Sequence, residues 1–318
     1  MPDNTKHPLM LGLSRNSIRL FRILGIDVFL HWSWFLVALF EIQSRADAYS
    51  SIAWNVLEYL ALFLIVLLHE FGHALACRQV GGTANQIVLW PLGGVAYVSP
   101  PPRPAAVLWS IVAGPLVNVA LIPVLLLTGA ATESLGLDQA APSFHPFLHA
   151  VATINIALLI FNVLPIYPLD GGKILWSLLW FVLGRARSLM VATIVGFIGA
   201  AGLIALAILA RSAWLGILCA FLLLNCWTGL RSAFSMARRE RGPRHADYAC
   251  PSCKAAPHIG NYWLCPQCKK PFDTFATKAE CPACRTSFAT TRCPTCGESS
   301  PIASWTVPSG ASSPAPIG

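Results

Sequence analysis

LLHEFGHALA, Leu67–Ala76, closes a run from Ile52 onward that is nearly all apolar. It poses a chemical contradiction. His69 and His73 are four residues apart, so on a helix they leave one face and can hold one metal through their imidazoles. Glu70 stands where a general base for activated water belongs. Yet a helix this apolar belongs in lipid, which excludes water. HExxH alone is only moderate evidence, because so short a pattern arises by chance. Three ionisable side chains within five residues of an apolar span are harder to dismiss. At membrane depth each is costly unless paired or metal-bound.

The composition agrees with a membrane setting. Of 318 residues 55% are hydrophobic and 11% charged, against about 25% charged in a typical soluble domain. This excludes an ordinary soluble enzyme. The net charge of +8 reads as Lys and Arg fixing topology rather than gripping nucleic acid. Six windows approach the roughly 20 apolar residues of a bilayer-spanning helix: 28–43, 54–78, 105–129, 147–166, 189–210 and 213–230. The run Ile174–Leu183 is too short to span and reads as re-entrant or interfacial. Between spans two and three, TANQIVLWPLGGVAYVSPPP carries Gly-Gly between two β-prone runs and reads as a hairpin-like loop folded against the bundle. The expected fold is an all-α polytopic membrane protein of about six transmembrane helices, with a membrane-associated hairpin and a small C-terminal metal domain.

Orientation follows from the basic residues. Arg15, Arg19, Arg22, Arg78, Arg103, Lys173, Arg185, Arg187, Arg231, Arg238, Arg239 and Arg241 all flank one side, against Arg45 and Arg211 on the other. Both termini are therefore expected in the cytoplasm. Residues 1–27 read as a basic cytoplasmic segment, not a removed signal peptide. His69 then lies roughly 14 Å below the cytoplasmic flank at 1.5 Å per residue.

Two histidines leave a catalytic zinc short of a third protein ligand. Asp170, in FNVLPIYPLDGG, is the only acidic residue between Asp138 and Glu240 and falls on the same side at similar depth. Pro165 and Pro168 break the helix before it. The competing reading makes Asp170 a cap for the short helix that follows.

HEFGH, then GPLVN (Gly114–Asn118), then NVLPIYPLDGG resemble, in this order and spacing, the site-2 protease family of intramembrane zinc metalloproteases. The resemblance covers about 28–231. It implies zinc on His69, His73 and Asp170, Glu70 as catalytic base, and Asn162 bonding the substrate backbone or a developing oxyanion. PLGGVA (Pro91–Ala96) is similar to the family's embedded hairpin, which implies substrate binding at Gly93 and Gly94; Asn118 joins them as a substrate-binding candidate. The short loops leave no room for a PDZ domain and resemble the compact branch that includes the sporulation protease. The resemblance further implies an integral protein of a prokaryotic cell membrane, acting on transmembrane segments of other membrane proteins in regulated intramembrane proteolysis.

The C-terminal part departs from that branch. CPSC, CPQC, CPAC and CPTC supply Cys250, Cys253, Cys265, Cys268, Cys281, Cys284, Cys293 and Cys296, eight of the eleven cysteines. Two such knuckles make one tetrahedral site of four thiolates. Pairing in chain order gives a tandem zinc ribbon, 250–268 and 281–296; cross-pairing needs more chain reversal. Disulfides and rubredoxin-like iron are the rivals, the first disfavoured in a cytoplasmic tail. The expected layout is 1–27 basic segment, 28–236 membrane metalloprotease domain, 237–249 linker, 250–298 ribbons and 299–318 disordered tail. Three zinc ions are expected, one catalytic and two structural, with the ribbons contacting a regulatory protein. The other function class that fits the ligands is a membrane metal transporter or sensor.

Overall fold

The structure, a computed structural model, describes residues 17–45, 49–90, 93–136 and 142–305. The chain divides into two compact units, one up to Ala233 and one from Phe234.

The first unit opens with strands rather than a helix. β1 (Ser17–Ile23) and β2 (Ile26–His31) form a hairpin whose two turn residues, Leu24 and Gly25, both have positive φ, the geometry of a tight hairpin turn. The window 28–43 is therefore not one spanning helix. It divides between β2 and the 11-residue α1 (Trp34–Ser44). IDVFLH buries alternate residues first, which is strand periodicity; a hydropathy average does not register the period. Five helices among the described residues are long and apolar enough to cross a membrane: α2 (Ile52–Gln79), α3 (Pro104–Ser134), α4 (Phe144–Val163), α6 (Arg185–Leu209) and α7 (Ala213–Glu240). The count is five where the windows suggested six.

Between α2 and α3 lie β3 (Thr83–Trp90) and β4 (Gly93–Ser99), the expected hairpin; Pro91 and Leu92 fall outside the described residues. β2 pairs with β3 in parallel, so the sheet runs β1-β2-β3-β4 with β4 at its edge. Arg78, in the last turn of α2, fastens this sheet to the helix. Its guanidinium donates to the carbonyls of Ala84, Leu24 and Gly25. Ile26, Val28, Ile87 and Leu89 are buried against Val66, Leu67 and Ala74 of α2.

α4 ends at Val163, and the proline-bearing turn leads into α5 (Asp170–Leu183), 14 residues long. α2 packs along α3, and α3 packs against both α4 and α5. The three motifs thus come from neighbouring elements.

The second unit has almost no regular structure: β5 (Trp263–Leu264) pairs with β6 (Pro271–Phe272), and β7 (Thr290–Arg292) with β8 (Ser299–Pro301). A 3-10 turn (Ile302–Trp305) follows and buries Trp305 beside Phe275, Cys250 and Cys293. Residues 299–305 are accordingly structured, not part of a disordered tail; 306–318 lie outside the described residues.

Candidate metal centre

His69 and His73 point from one face of α2 toward α5, where Asp170 is the first helical residue. Three atoms converge: Asp170 Oδ2 is 3.0 Å from His69 Nε2 and 3.0 Å from His73 Nε2, and the two nitrogens are 3.1 Å apart. All three side chains are buried. The side-chain partners of the Asp170 carboxylate are His69, His73 and Lys173.

The protons on this triangle can be placed. His73 Nδ1 lies 2.9 Å from the Ser110 carbonyl, which only accepts, so Nδ1 carries the hydrogen and, in the neutral ring that binds a metal, Nε2 a lone pair. His69 Nδ1 lies 2.6 Å from Asn118 Oδ1, which places its hydrogen in the same way. Two lone pairs and a carboxylate oxygen then face one another at about 3 Å. With both rings neutral that arrangement is repulsive unless a cation lies between them. A tetrahedral metal about 2.0–2.1 Å from each ligand needs ligand atoms roughly 3.3 Å apart, close to the spacing found. The residues fit zinc, and each histidine has the outer partner that zinc-binding imidazoles require.

The space is held open by missing side chains. A Cβ on Gly114 of α3 would overlap His73 Nε2 and sit 2.9 Å from His69 Nε2. A Cβ on Gly94 would overlap Glu70 Cγ. The edge strand β4 therefore lies directly on Glu70, whose Oε2 accepts from the Ala96 N–H at 2.9 Å. Glu70 offers a carboxylate atom within 4.8 Å of both imidazoles. Lys173 Nζ approaches the other Asp170 oxygen, Oδ1, at 3.3 Å and leaves Oδ2 to the triangle.

Other sequence candidates land differently. Asn118 is fully buried, its oxygen taken by His69 and its Nδ2 donating to Asn155 Oδ1 at 2.8 Å. It stands behind His69 rather than on an open face. Asn162 is half-buried on the last turn of α4, with no hydrogen bond among the described residues to His69, Glu70, His73 or Asp170. Sequence reading missed Asn155, Ser110 and Lys173. Asn155 carried a signal, a polar amide inside an apolar span; Ser110 acts through its backbone and carried none. It also missed Glu58, which is 2% exposed on α2, pairs with Arg45 at 3.1 Å and accepts from Tyr49.

The eight cysteines gather into two groups, but not in chain order. Cys250 and Cys253 meet Cys293 and Cys296, while Cys265 and Cys268 meet Cys281 and Cys284. The sites are nested, one inside the other, which corrects the sequential pairing. Successive knuckles are separated by 11, 12 and 8 residues, and loop-closure entropy changes little over such lengths. Spacing could not choose; packing of Phe275 and Trp305 against Cys250 and Cys293 did. Cross-knuckle Sγ···Sγ distances of 3.5–3.8 Å are far too long for disulfides. They fit the edges of a tetrahedron with metal–sulfur bonds near about 2.3 Å. Each knuckle is the same turn: the N–H of Lys254, Lys269, Arg285 or Gly297 donates to the carbonyl of its knuckle's first cysteine, and each of the four has positive φ.

Residues 58–206 match the model of peptidase family M50. A zinc metalloprotease of Methanocaldococcus jannaschii is 34% identical over 180 residues, 57% of this chain and 50% of that protein. Stage IV sporulation protein FB of Bacillus subtilis is 32% identical over 124 residues, 37% of this chain and 39% of that protein. The chain spans about half the length of the curated relatives it matches. A solved site-2 protease from Methanocaldococcus jannaschii is 30% identical, covering 68% of this chain and 95% of that one, with a TM-score of 0.49. The matched region holds the whole His69–His73–Asp170 triangle with Glu70 and Gly114, and residues 58–206 form a peptidase family M50 domain.

Proposed function

We propose that this chain is an intramembrane zinc endopeptidase that hydrolyses a peptide bond within or near a transmembrane segment of another membrane protein. The observation that carries the reading is the convergence of two imidazole lone pairs and one carboxylate oxygen beside Glu70. All of these groups sit in or next to apolar helices.

His69, His73 and Asp170 would hold the zinc, which supplies Lewis acidity toward a carbonyl and makes water a better acid. Glu70 takes the proton of the attacking water and passes it to the departing amine nitrogen. Its Oε2, anchored on the Ala96 N–H, keeps the carboxylate beside the histidines. Lys173 holds Asp170 in a one-oxygen approach. Asn162 is assigned to the substrate backbone or developing oxyanion. A helical substrate hides its carbonyls in its own hydrogen bonds, so it must unwind. Strand addition at the β4 edge would hold it extended, and Gly94 keeps that strand close to Glu70.

The eight cysteines hold two further zinc ions and supply most of the folding energy of a unit with so little core. Their role is contact with a regulatory protein. Both termini lie in the cytoplasm, and the cleavage serves regulated signalling.

The test is comparison of wild-type chain with Glu70→Gln in membranes, following fragments of co-purifying membrane proteins and zinc per chain. The expected result is that Glu70→Gln keeps three zinc ions, accumulates intact substrate and produces no fragments. Fragments that persist in Glu70→Gln refute proteolysis by this site. Metal flux that survives the substitution supports the transporter alternative.

A further inference from the structure

The two ligand histidines are steadied by different means. His73 has a backbone carbonyl behind it, an acceptor that cannot change role. His69 has the side-chain amide of Asn118, and an amide can turn over. A reversed Asn118 would present Nδ2 to His69 Nδ1, move the imidazole hydrogen to Nε2 and point that hydrogen at His73 and Asp170. The lone pair meant for a metal would be gone.

Asn155 of α4 blocks the reversal. Its Oδ1 accepts from Asn118 Nδ2 at 2.8 Å, and its own Nδ2 donates to the Asn118 backbone carbonyl at 3.0 Å. That carbonyl can only accept, so the direction of every bond after it is fixed. Asn155 must present oxygen to Asn118, Asn118 must present oxygen to His69, and His69 must carry its hydrogen on Nδ1. Both asparagines are fully buried, and among the described residues their side chains bond to each other and to His69. Two amides at such depth are costly unless every polar atom is satisfied, and this reciprocal pair satisfies the atoms that matter.

We infer that Asn155 is a positioning residue for the metal centre: through Asn118 it fixes the tautomer of His69 and so the zinc affinity of the His69–His73–Asp170 triangle. This rests on the metal reading of that triangle. Asn155 touches neither metal nor substrate and acts only through Asn118. Outer-sphere partners of zinc-bound histidine commonly alter affinity by about 10–100-fold. Here the effect passes through one further residue, so about tenfold is expected.

The experiment is a chelator titration of full-length chain, reading zinc per chain for wild type, Asn155→Leu, Asn118→Ala, the double variant and His69→Ala. Wild type should hold one zinc more than His69→Ala; equal contents refute the metal reading and the relay with it. With that difference in hand, Asn155→Leu should lose the membrane zinc at about tenfold lower EDTA than wild type. The double variant should match Asn118→Ala alone, because Asn155 has no route to His69 once Asn118 is gone. Unchanged affinity in Asn155→Leu, or losses that add in the double variant, overturns the inference, since a purely structural contribution would add. Should Asn155→Leu fail to fold, Asn155→Ser keeps a small polar group, withdraws the acceptor from Asn118 Nδ2 and is judged by the same two outcomes.

Discussion

The membrane triangle and the cysteine unit both gather side chains that could hold a metal, yet they are assembled on opposite plans. In the cysteine unit each pair of ligands is held by its own five-residue turn, repeated four times with the same carbonyl-to-amide bond. In the triangle, ligands come from α2 and α5, their outer partners from α3 and α4, and the clearance from a glycine on α3. A four-cysteine site is closed, with every position filled by protein, and suits structure. A three-ligand site leaves a position for water and substrate, and needs its neighbours to hold it in shape.

That contrast can be broken, beginning with its strongest element. Gly114→Val places a side chain on the Nε2 atoms of both histidines. It should abolish the membrane zinc and any proteolysis, by about 100-fold or more on the scale of lost catalytic machinery, while leaving the cysteine zinc in place. Zinc analysis of the intact chain checks this. Cys265→Ser tests the nested pairing. It should release one zinc and expose Cys268, Cys281 and Cys284 to alkylation, while Cys250, Cys253, Cys293 and Cys296 stay protected. Protection lost at Cys250 and Cys253 instead would favour sequential pairing.

Smaller effects sharpen the comparison. Lys173→Met frees Asp170 Oδ1 and should lower the membrane zinc affinity by about tenfold, read by chelator titration. Asp273→Asn probes the cysteine unit without touching a ligand. Burial alone would raise the Asp273 carboxyl, but the amides of Gly260, Phe275 and Ala276 and the His245 ring hold it below the ordinary value. A lowered folded-state value means the ionised group stabilises above the unfolded pKa of about 3.9 and stops doing so as pH falls through the folded value. At neutral pH Asp273→Asn should cost on the order of 2 kcal/mol, measured as a denaturant shift of the cysteine unit. The gap from wild type should close below about pH 4.

Legibility followed the same division. His69, Glu70, His73 and Asp170 stand out in the sequence because ionisable groups in apolar segments are conspicuous, and a four-residue spacing is already geometry on a helix. The knuckles stand out because each is a local turn. Window 28–43 misled because hydropathy averages do not register the strand alternation of IDVFLH. Asn118 was legible as part of a motif but not as the support of His69, since its partner Asn155 lies 37 residues away on another helix. Ser110 contributes only a carbonyl, which every residue has.

The sequence by itself therefore determined the membrane character, the clustering of metal-ligand residue types and the five long helices, all consequences of short-range pattern and composition. Tertiary structure alone decided three other matters. It moved the first apolar window into a sheet, nested the two cysteine sites, and set an amide pair behind His69 with a glycine in front of it. Each depends on which elements pack together, and packing is settled by close fit between residues far apart in the chain.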